Sequence, residues 1–365
     1  MVNIIVKDLY KRFRKKEVLK GVSFEAQEGK ITVLFGPVGA GKTTILRIIA
    51  GLEKPDKGKI FFGDIDVTNI PPQERNVGLV FQTFALYPHM SVYENIASPL
   101  KAMGLTQSEV DKRVKWVAEL LRISNILEKR PAEISGGQRQ RVAIARALVK
   151  DATVYLFDEP LTNLDYKIRE AMRGELKKIL KERGGTMIWA TSDPQEALAL
   201  GDNIVILYDG TVVAQGEIHE VYNKPNNTIV AKYFSYPTMN MLEGVVKSKG
   251  DVVVVDLGFT VMEIPQAKLS LEAESKVIVG IRPTSIGISL TNKRGIEGTV
   301  LITEVLGSET LIHVDIEGRR LVIYVPEIFR IQPGNKIWLL LDSNQIYLFD
   351  GLTGKLLHAP GVPHG

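Results

Sequence analysis

Up to about residue 235 the chain alternates between two hydrophobic rhythms. Residues 31–35, 153–157 and 186–191 are short apolar-rich runs, each followed by small or polar residues, and they read as buried strands. Amphipathic stretches lie between them. Val110, Val114, Val117 and Leu121 fall on one helical face, and Ser108 followed by Asp111 reads as a capping box at its start. Strands alternating with helices predict an α/β fold with a parallel sheet covered on both faces.

The rhythm changes near Phe234. Residues 235–240 read as a linker, and after them come short β-rich runs at 252–256, 276–280, 298–303, 310–315, 321–325, 336–341 and 346–349, punctuated by Gly, Pro and Asn. Evenly spaced short strands predict an all-β barrel. The 365 residues therefore divide into an α/β domain over 1–235 and a β-barrel domain over 236–365.

Composition narrows the classes. No stretch approaches 18 uncharged apolar residues, so no membrane-spanning helix is expected. The N-terminal charges follow a short apolar run, the reverse of a signal peptide, which predicts a chain that stays in the cytoplasm. With no cysteine, disulfides, zinc thiolates and cysteine nucleophiles are excluded. The net charge of +4 is mild. The basic cluster from Lys11 to Lys16 reads as a solvated turn rather than a nucleic-acid contact.

The chemistry concentrates at two places. Gly36-Pro37-Val38-Gly39-Ala40-Gly41-Lys42-Thr43 fits the P-loop pattern G-x-x-x-x-G-K-[ST], between a predicted strand and a helical run that opens at Thr44. Glycines let backbone N–H groups turn inward as an anion nest, and the helix N-terminus adds positive potential. Lys42 is placed to neutralise β- and γ-phosphates of ATP, and the Thr43 hydroxyl to ligate Mg²⁺. Further on, the apolar run 154–157 delivers Asp158 and Glu159 at a strand end, where ligands of open α/β sheets bind. Asp158 suits Mg²⁺ through water; Glu159 suits proton abstraction from an attacking water.

Ile134-Ser135-Gly136-Gly137-Gln138 lies shortly before Asp158 and opens a helical run over 139–149. Here the chain resembles the ATP-binding-cassette (ABC) ATPases, whose signature is LSGGQ. The resemblance implies a helical subdomain at about 83–150. It also implies that Ser135 to Gln138 cover ATP held by a second cassette, in a homodimer or with a paired ATPase subunit. Phe13 matches the aromatic residue stacked on adenine, and Gln82 the glutamine that reaches Mg²⁺ and senses the membrane partner. Thr162-Asn163-Leu164-Asp165 matches the loop that links the two sites.

The stretch from Gln82 to Asn95 and the run after Gln138 resemble importer ATPases for sugars, of the maltose and multiple-sugar type. Gly280-Ile281-Arg282-Pro283 resembles part of that group's C-terminal regulatory domain, which has an oligonucleotide/oligosaccharide-binding (OB)-like fold. What this likeness implies is an ATPase on the cytoplasmic face of the membrane. Its partners would be integral permease subunits and, indirectly, an extracytoplasmic solute-binding protein, with no nucleic-acid role. Importers of polyamines or oxyanions share the architecture.

Two departures stand out. Val38 occupies a position often held by Ser in the family. Thr191-Ser192-Asp193 stands where the family has T-H-D, and none of the five histidines can take that register. The family histidine contacts the γ-phosphate. Loss of such a preorganised donor costs on the order of 3–4 kcal/mol. Ser192 donates one hydrogen bond but carries no positive charge. The expectation is normal ATP binding with slow, Glu159-dependent hydrolysis; the alternative is a weakly hydrolysing nucleotide switch.

Overall fold

The computed structural model describes residues 2–162, 164, 166–248, 252–265, 272–291 and 295–361. They pack as two compact units, Met1–Ile218 and His219–Gly365.

The first unit opens with β1 (Ile4–Phe13), β2 (Lys16–Ala26), β3 (Ile31–Phe35) and α1 (Lys42–Ile49). There follow β4 (Lys57–Phe62), β5 (Ile65–Asp66), β6 (Val77–Val80), α2 (Val92–Ala102), α3 (Gln107–Leu120) and α4 (Gly136–Leu148). It closes with β7 (Val154–Asp158), α5 (Tyr166–Arg183), β8 (Thr186–Thr191), α6 (Pro194–Leu200), β9 (Asn203–Tyr208) and β10 (Thr211–Glu217).

Six strands form the central sheet in the order β10-β9-β3-β8-β7-β6, and only the edge pair β9–β10 is antiparallel. All residues of β3, β7 and β8 are buried, as continuous apolar runs in a doubly covered parallel sheet should be. One sheet face, with Leu34, Leu156 and Ile188, packs on Ile45, Leu46 and Ile49 of α1. The same core takes in Ile4, Leu9, Leu19 and Phe24 from a four-stranded antiparallel sheet of order β2-β1-β4-β5. That second sheet was not foreseen, because β1 and β2 carry charges between their apolar positions, and of this stretch only Lys11 to Lys16 was assigned, as a solvated turn. On the opposite face Phe157 stacks on Trp189, with ring centroids 4.8 Å apart.

Capping chemistry sets the helix starts. Ser91 with Glu94 and Thr106 with Glu109 form capping boxes at α2 and α3. The expected box of Ser108 and Asp111 is therefore two residues off. The longer Glu109 reaches back to the Thr106 N–H, while Asp111 accepts from Gln107 and Tyr93 instead. Val110, Val114 and Val117 do share the buried face.

The second unit follows α7 (Ile218–Asn223), which straddles the division, and begins with α8 (Thr228–Tyr233). Its strands are β11 (Asn240–Ser248), β12 (Val252–Asp256), β13 (Val261–Pro265), β14 (Lys276–Ile281), β15 (Ile286–Ser289) and β16 (Ile296–Leu306). The rest are β17 (Glu309–Ile316), β18 (Arg319–Val325), β19 (Lys336–Leu341), β20 (Ile346–Asp350) and β21 (Leu356–His358). They build two antiparallel sheets, β13-β12-β11-β14-β20-β21 and β15-β19-β16-β17-β18, around one apolar core.

The packing break falls before residue 235 because the intervening helices belong to this unit. Ala231 of α8 packs on Met239, Tyr347 and Phe349, and Thr228 N–H donates to the Gly354 carbonyl. Arg282, from the Gly-Ile-Arg-Pro run, fixes the arrangement. Its guanidinium lies 3.7 Å from the Tyr222 ring centroid and donates to Tyr222 O at 2.5 Å and Ser235 Oγ at 3.2 Å, with Nε 3.2 Å from the Tyr347 hydroxyl.

Arg282→Ala removes a cation–π contact and leaves the half-buried Tyr222 carbonyl and buried Ser235 without their donor, so the second unit should lose about 2–3 kcal/mol. Calorimetry of the full chain should show that unit's transition moving down while nucleotide binding by the first unit persists.

Candidate functional site

The three central strands end in step. Phe35 pairs with Thr191, and Asp158 with Ala190. Gly36, Glu159 and Ser192 are therefore delivered side by side at the carboxyl edge of the sheet, where open α/β sheets bind ligands.

The loop after β3 is held by close packing. A Cβ on Gly36 would lie 2.4 Å from the Leu207 carbonyl oxygen, so only glycine fits there. Gly41, the N-cap of α1, has φ 106°, and a Cβ there would meet Leu19 Cδ2 at 2.6 Å. Between them the Ala40 N–H donates to the Pro37 carbonyl at 3.2 Å. Val38 stands 88% exposed at the mouth.

Lys42 points back into this loop. Its ammonium donates to Gly36 O at 2.7 Å and Pro37 O at 3.1 Å, and lies 3.0 Å from Glu159 Oε1. The side chain is only 4% exposed. Thr43 Oγ1 donates to Asp158 Oδ1 at 2.9 Å. Burial pushes the Asp158 carboxyl up, the Thr43 hydrogen bond pulls it down, and the adjacent Glu159 charge adds to the rise.

Glu159 itself sits at φ 44°, a left-handed conformation that costs a non-glycine residue about 1–3 kcal/mol. It is held there by its N–H bond to Ala190 O at 3.0 Å. Gln82 Nε2 and Thr162 Oγ1 each approach Glu159 Oε2 at 3.4 Å.

A cleft of about 270 Å³ runs along this edge, lined by Gly39, Gly41, Lys42, Thr43, Thr44, Val38, Gln82 and Glu159. Lys16 and Val18 of β2 line it too. Phe13 is 43% exposed and pairs in register with Lys16 at the cleft rim. The basic cluster is thus not uniformly solvated. Lys16 faces the cleft, while Lys11 is buried against Glu53 at 2.7 Å and the Lys54 carbonyl. A strand reading of 16–26, with alternate residues facing inward, was the signal that would have placed Lys16 and Val18 there.

The signature residues take no part in that lining. Ser135 caps α4: its Oγ accepts from Gln138 N–H, and Gln138 Oε1 accepts from Ser135 N–H at 2.9 Å. With its side-chain oxygens so engaged, the turn presents Gly136 and the helix N-terminus outward. A Cβ on Gly136 would meet nothing closer than Arg139 Nη2, at 3.9 Å.

The segment 82–91, between β6 and α2, is tied down from two sides. Arg146 of α4 donates to the carbonyls of Phe84 and Ala85, and the buried Asn95 of α2 bonds the backbone of Tyr87, Met90 and Ser91. Asn163 and Asp165 lie outside the described residues.

Ser192 follows β8 directly. The next residue, Asp193, N-caps α6 through Gln195 N–H and Glu196 N–H. Asp193 also pairs with Arg173 at 2.6 Å and Arg169 at 3.4 Å. Behind it, buried Glu196 accepts a hydrogen bond from Trp189 Nε1, and its burial raises its carboxyl to about 7.

Among the described residues no three His, Cys, Asp or Glu side chains cluster as a self-sufficient metal site. The oxygens of Thr43 and Asp158 suit a hard cation that draws its remaining ligands from phosphate and water.

This is the geometry of a P-loop nucleoside triphosphatase with a second anion-facing helix start. The ABC transporter model matches residues 19–162, the MalK OB-fold model residues 237–286, and the TOBE-domain model residues 279–349. The chain is 39% identical to the trehalose/maltose import ATP-binding protein MalK of Thermococcus litoralis, covering 98% of this chain and 100% of that protein. It is 38% identical to the sn-glycerol-3-phosphate import ATP-binding protein UgpC 2 of Agrobacterium fabrum, covering 99% and 96% respectively. A dimeric bacterial ABC transporter cassette is 32% identical, with TM-score 0.54, covering 59% of this chain and 98% of that one. A dimeric post-hydrolysis cassette bound to ADP and phosphate matches with the same TM-score of 0.54. The chain belongs to the ATP-binding subunits of ABC transporters, and it is an ATPase. The OB-fold match begins at 237, so the sequence modules divide later than the packing does.

A carboxyl raised by burial holds a proton in the folded chain that the unfolded chain releases, here between about pH 4.5 and 7. That contribution to stability is complete below the unfolded value and is lost as pH rises through the window. Urea titrations at pH 5 and pH 8 should show wild type losing about 3 kcal/mol relative to Glu196→Gln, whose side chain cannot ionise. Equal pH dependence of the two would show that Glu196 is not held neutral.

Proposed function

We propose that this chain energises a carbohydrate importer by binding and hydrolysing Mg·ATP at the cleft between Gly36–Thr43 and Glu159. The observation that carries the reading is the convergence of Lys42, Thr43, Asp158 and Glu159 at one sheet edge. Phosphate oxygens carry more charge than a single carboxylate and compete for the Lys42 ammonium. Binding therefore draws Lys42 away from Glu159 and frees Glu159 to accept a proton from water. Thr43 and Asp158, with Gln82, would hold Mg²⁺, which offsets charge on the β- and γ-phosphates.

The loop from Pro37 to Thr44 lines the phosphate path, with its backbone N–H groups supplied from Val38 onward, and Phe13 stacks on adenine at the rim. Ser135 to Gln138 cover the nucleotide of a second copy or a paired subunit. The relatives are import ATP-binding proteins for trehalose and maltose or for glycerol 3-phosphate. That favours a carbohydrate or a small phosphorylated polyol over polyamines and oxyanions. The segment 82–99, braced by Arg146 and Asn95, meets permease subunits at the cytoplasmic face of the membrane. A solute-binding protein acts on its far side. The α/β part to 235 serves as motor, and 236–365 as regulator.

Ser192 favours a second reading, a switch that binds ATP and barely hydrolyses it. Steady-state ATPase assays separate the two. Glu159→Gln should cut the rate by about 10²-fold or more, and Ser192→His should raise it by about 10²–10³. A wild type already as fast as Ser192→His would show that the site compensates for the missing imidazole. A rate that Glu159→Gln leaves unchanged would remove Glu159 as the base.

A further inference from the structure

We propose that Arg169, on α5, is a positioning residue for hydrolysis, because it ties the loop after Glu159 to the segment that carries Ser192. The inference rests on the ATPase reading above and adds to it a residue that no motif contains.

Arg169 touches both loops. Nη2 donates to Thr162 O at 3.4 Å and to Leu164 O at 3.2 Å, and Nη1 lies 3.4 Å from Asp193 Oδ2. Each end of this bridge leads to the site. Thr162 N–H donates to Glu159 O at 3.3 Å, and its hydroxyl approaches Glu159 Oε2. Asp193 N–H donates to Thr191 Oγ1 at 3.1 Å, so Ser192 is enclosed between two fixed residues.

The contact does not look built for stability. Arg173, one helical turn on, already neutralises Asp193 at 2.6 Å and is itself buried. The bonds of Arg169 are long, and its buried Nε, like that of Arg173, has no hydrogen-bond partner among the described residues. A second cation on Asp193, held at 3.4 Å where Arg173 sits at 2.6 Å, is poorly explained by folding energy. Its two carbonyl contacts on one side and its Asp193 contact on the other instead fix the distance between the loops. Ser192 has a short side chain, so its hydroxyl reaches a phosphate oxygen only if the backbone of 191–193 is held in place, and small displacements at a reacting centre cost about 10²-fold in rate.

The test compares full-length wild type, Arg169→Ala, Arg169→Gln, Arg169→Lys and Asp193→Asn for ATPase rate, ATP affinity by calorimetry, and melting temperature. Arg169→Ala and Arg169→Gln should lower kcat about 10-fold or more, with Kd and KM for ATP within about 2-fold and melting nearly unchanged. Arg169→Lys, which keeps the charge but not the fork, should recover only part of the rate. Arg169→Ala combined with Asp193→Asn should be little slower than the worse single variant, because both break one bridge.

A purely structural role would instead lower melting temperature and the active fraction together. That outcome, or an unchanged kcat in Arg169→Gln, overturns the proposal. Glu159→Gln in the same assay separates the two levels. If it is inactive while the Arg169 variants turn over at the wild-type rate, only this inference fails; if it matches wild type, Glu159 is not the base and the reading of the site on which this inference rests fails.

Discussion

The site turns on one buried cation. Lys42 is almost wholly withdrawn from solvent, and its ammonium is held by two loop carbonyls and the Glu159 carboxylate. A buried ammonium requires negative partners. The loop that presents the carbonyls of Gly36 and Pro37 passes so close to Leu207 O that only glycine fits at 36. The carboxylate is available only because Glu159 adopts a left-handed backbone beside Ala190. Both conditions depend on β3, β8 and β7 ending at the same level. The buried apolar runs of those strands thus set the electrostatics of the loop beyond them.

The same edge accounts for the division of labour in the cassette. The P-loop and Glu159 line one cleft, with Asp158 behind it on Thr43, whereas Ser135 to Gln138 start a helix elsewhere and contribute nothing to its walls. Capping uses up the side-chain oxygens of Ser135 and Gln138 and leaves a helix N-terminus with Gly136 facing out and Gly137 buried. Such an end favours an anion that its own chain does not supply. The proposed remedy is a second cassette, with the nucleotide enclosed between copies. The bracing of residues 82–91 by Arg146 and Asn95 then gives closure a stiff element through which to act.

Much of this was legible in the sequence, and the reasons are local. The central strands announce themselves because burial on both faces demands continuous apolar residues. The P-loop is legible because its glycines and lysine are contiguous. Of the β-rich runs after 250, those at 252–256 and 336–341 coincide with β12 and β19.

Where side chains act across the fold the sequence is silent. The β2-β1-β4-β5 sheet was missed because its strands are amphipathic and interrupted by lysines. The capping box expected at Ser108 lies instead at Thr106 because two candidate pairs overlap within six residues, and side-chain reach decides between them. Lys16 read as solvated because only the β1–β2 register turns it toward the cleft. Arg169 carries no signal, since Asp193 lies on the far side of a helix and a strand.

The absence of native cysteine makes enclosure between copies directly measurable. In a Glu159→Gln background that retains ATP, Val38→Cys at the exposed mouth of the P-loop and Ser135→Cys at the α4 cap are introduced together, and the chain is oxidised with and without Mg·ATP. If the nucleotide is held between two chains, a covalent dimer forms with Mg·ATP and not without it, and neither single-cysteine chain reproduces it. A chain that stays monomeric under saturating Mg·ATP, or that closes the disulfide within itself, would contradict the two-chain site.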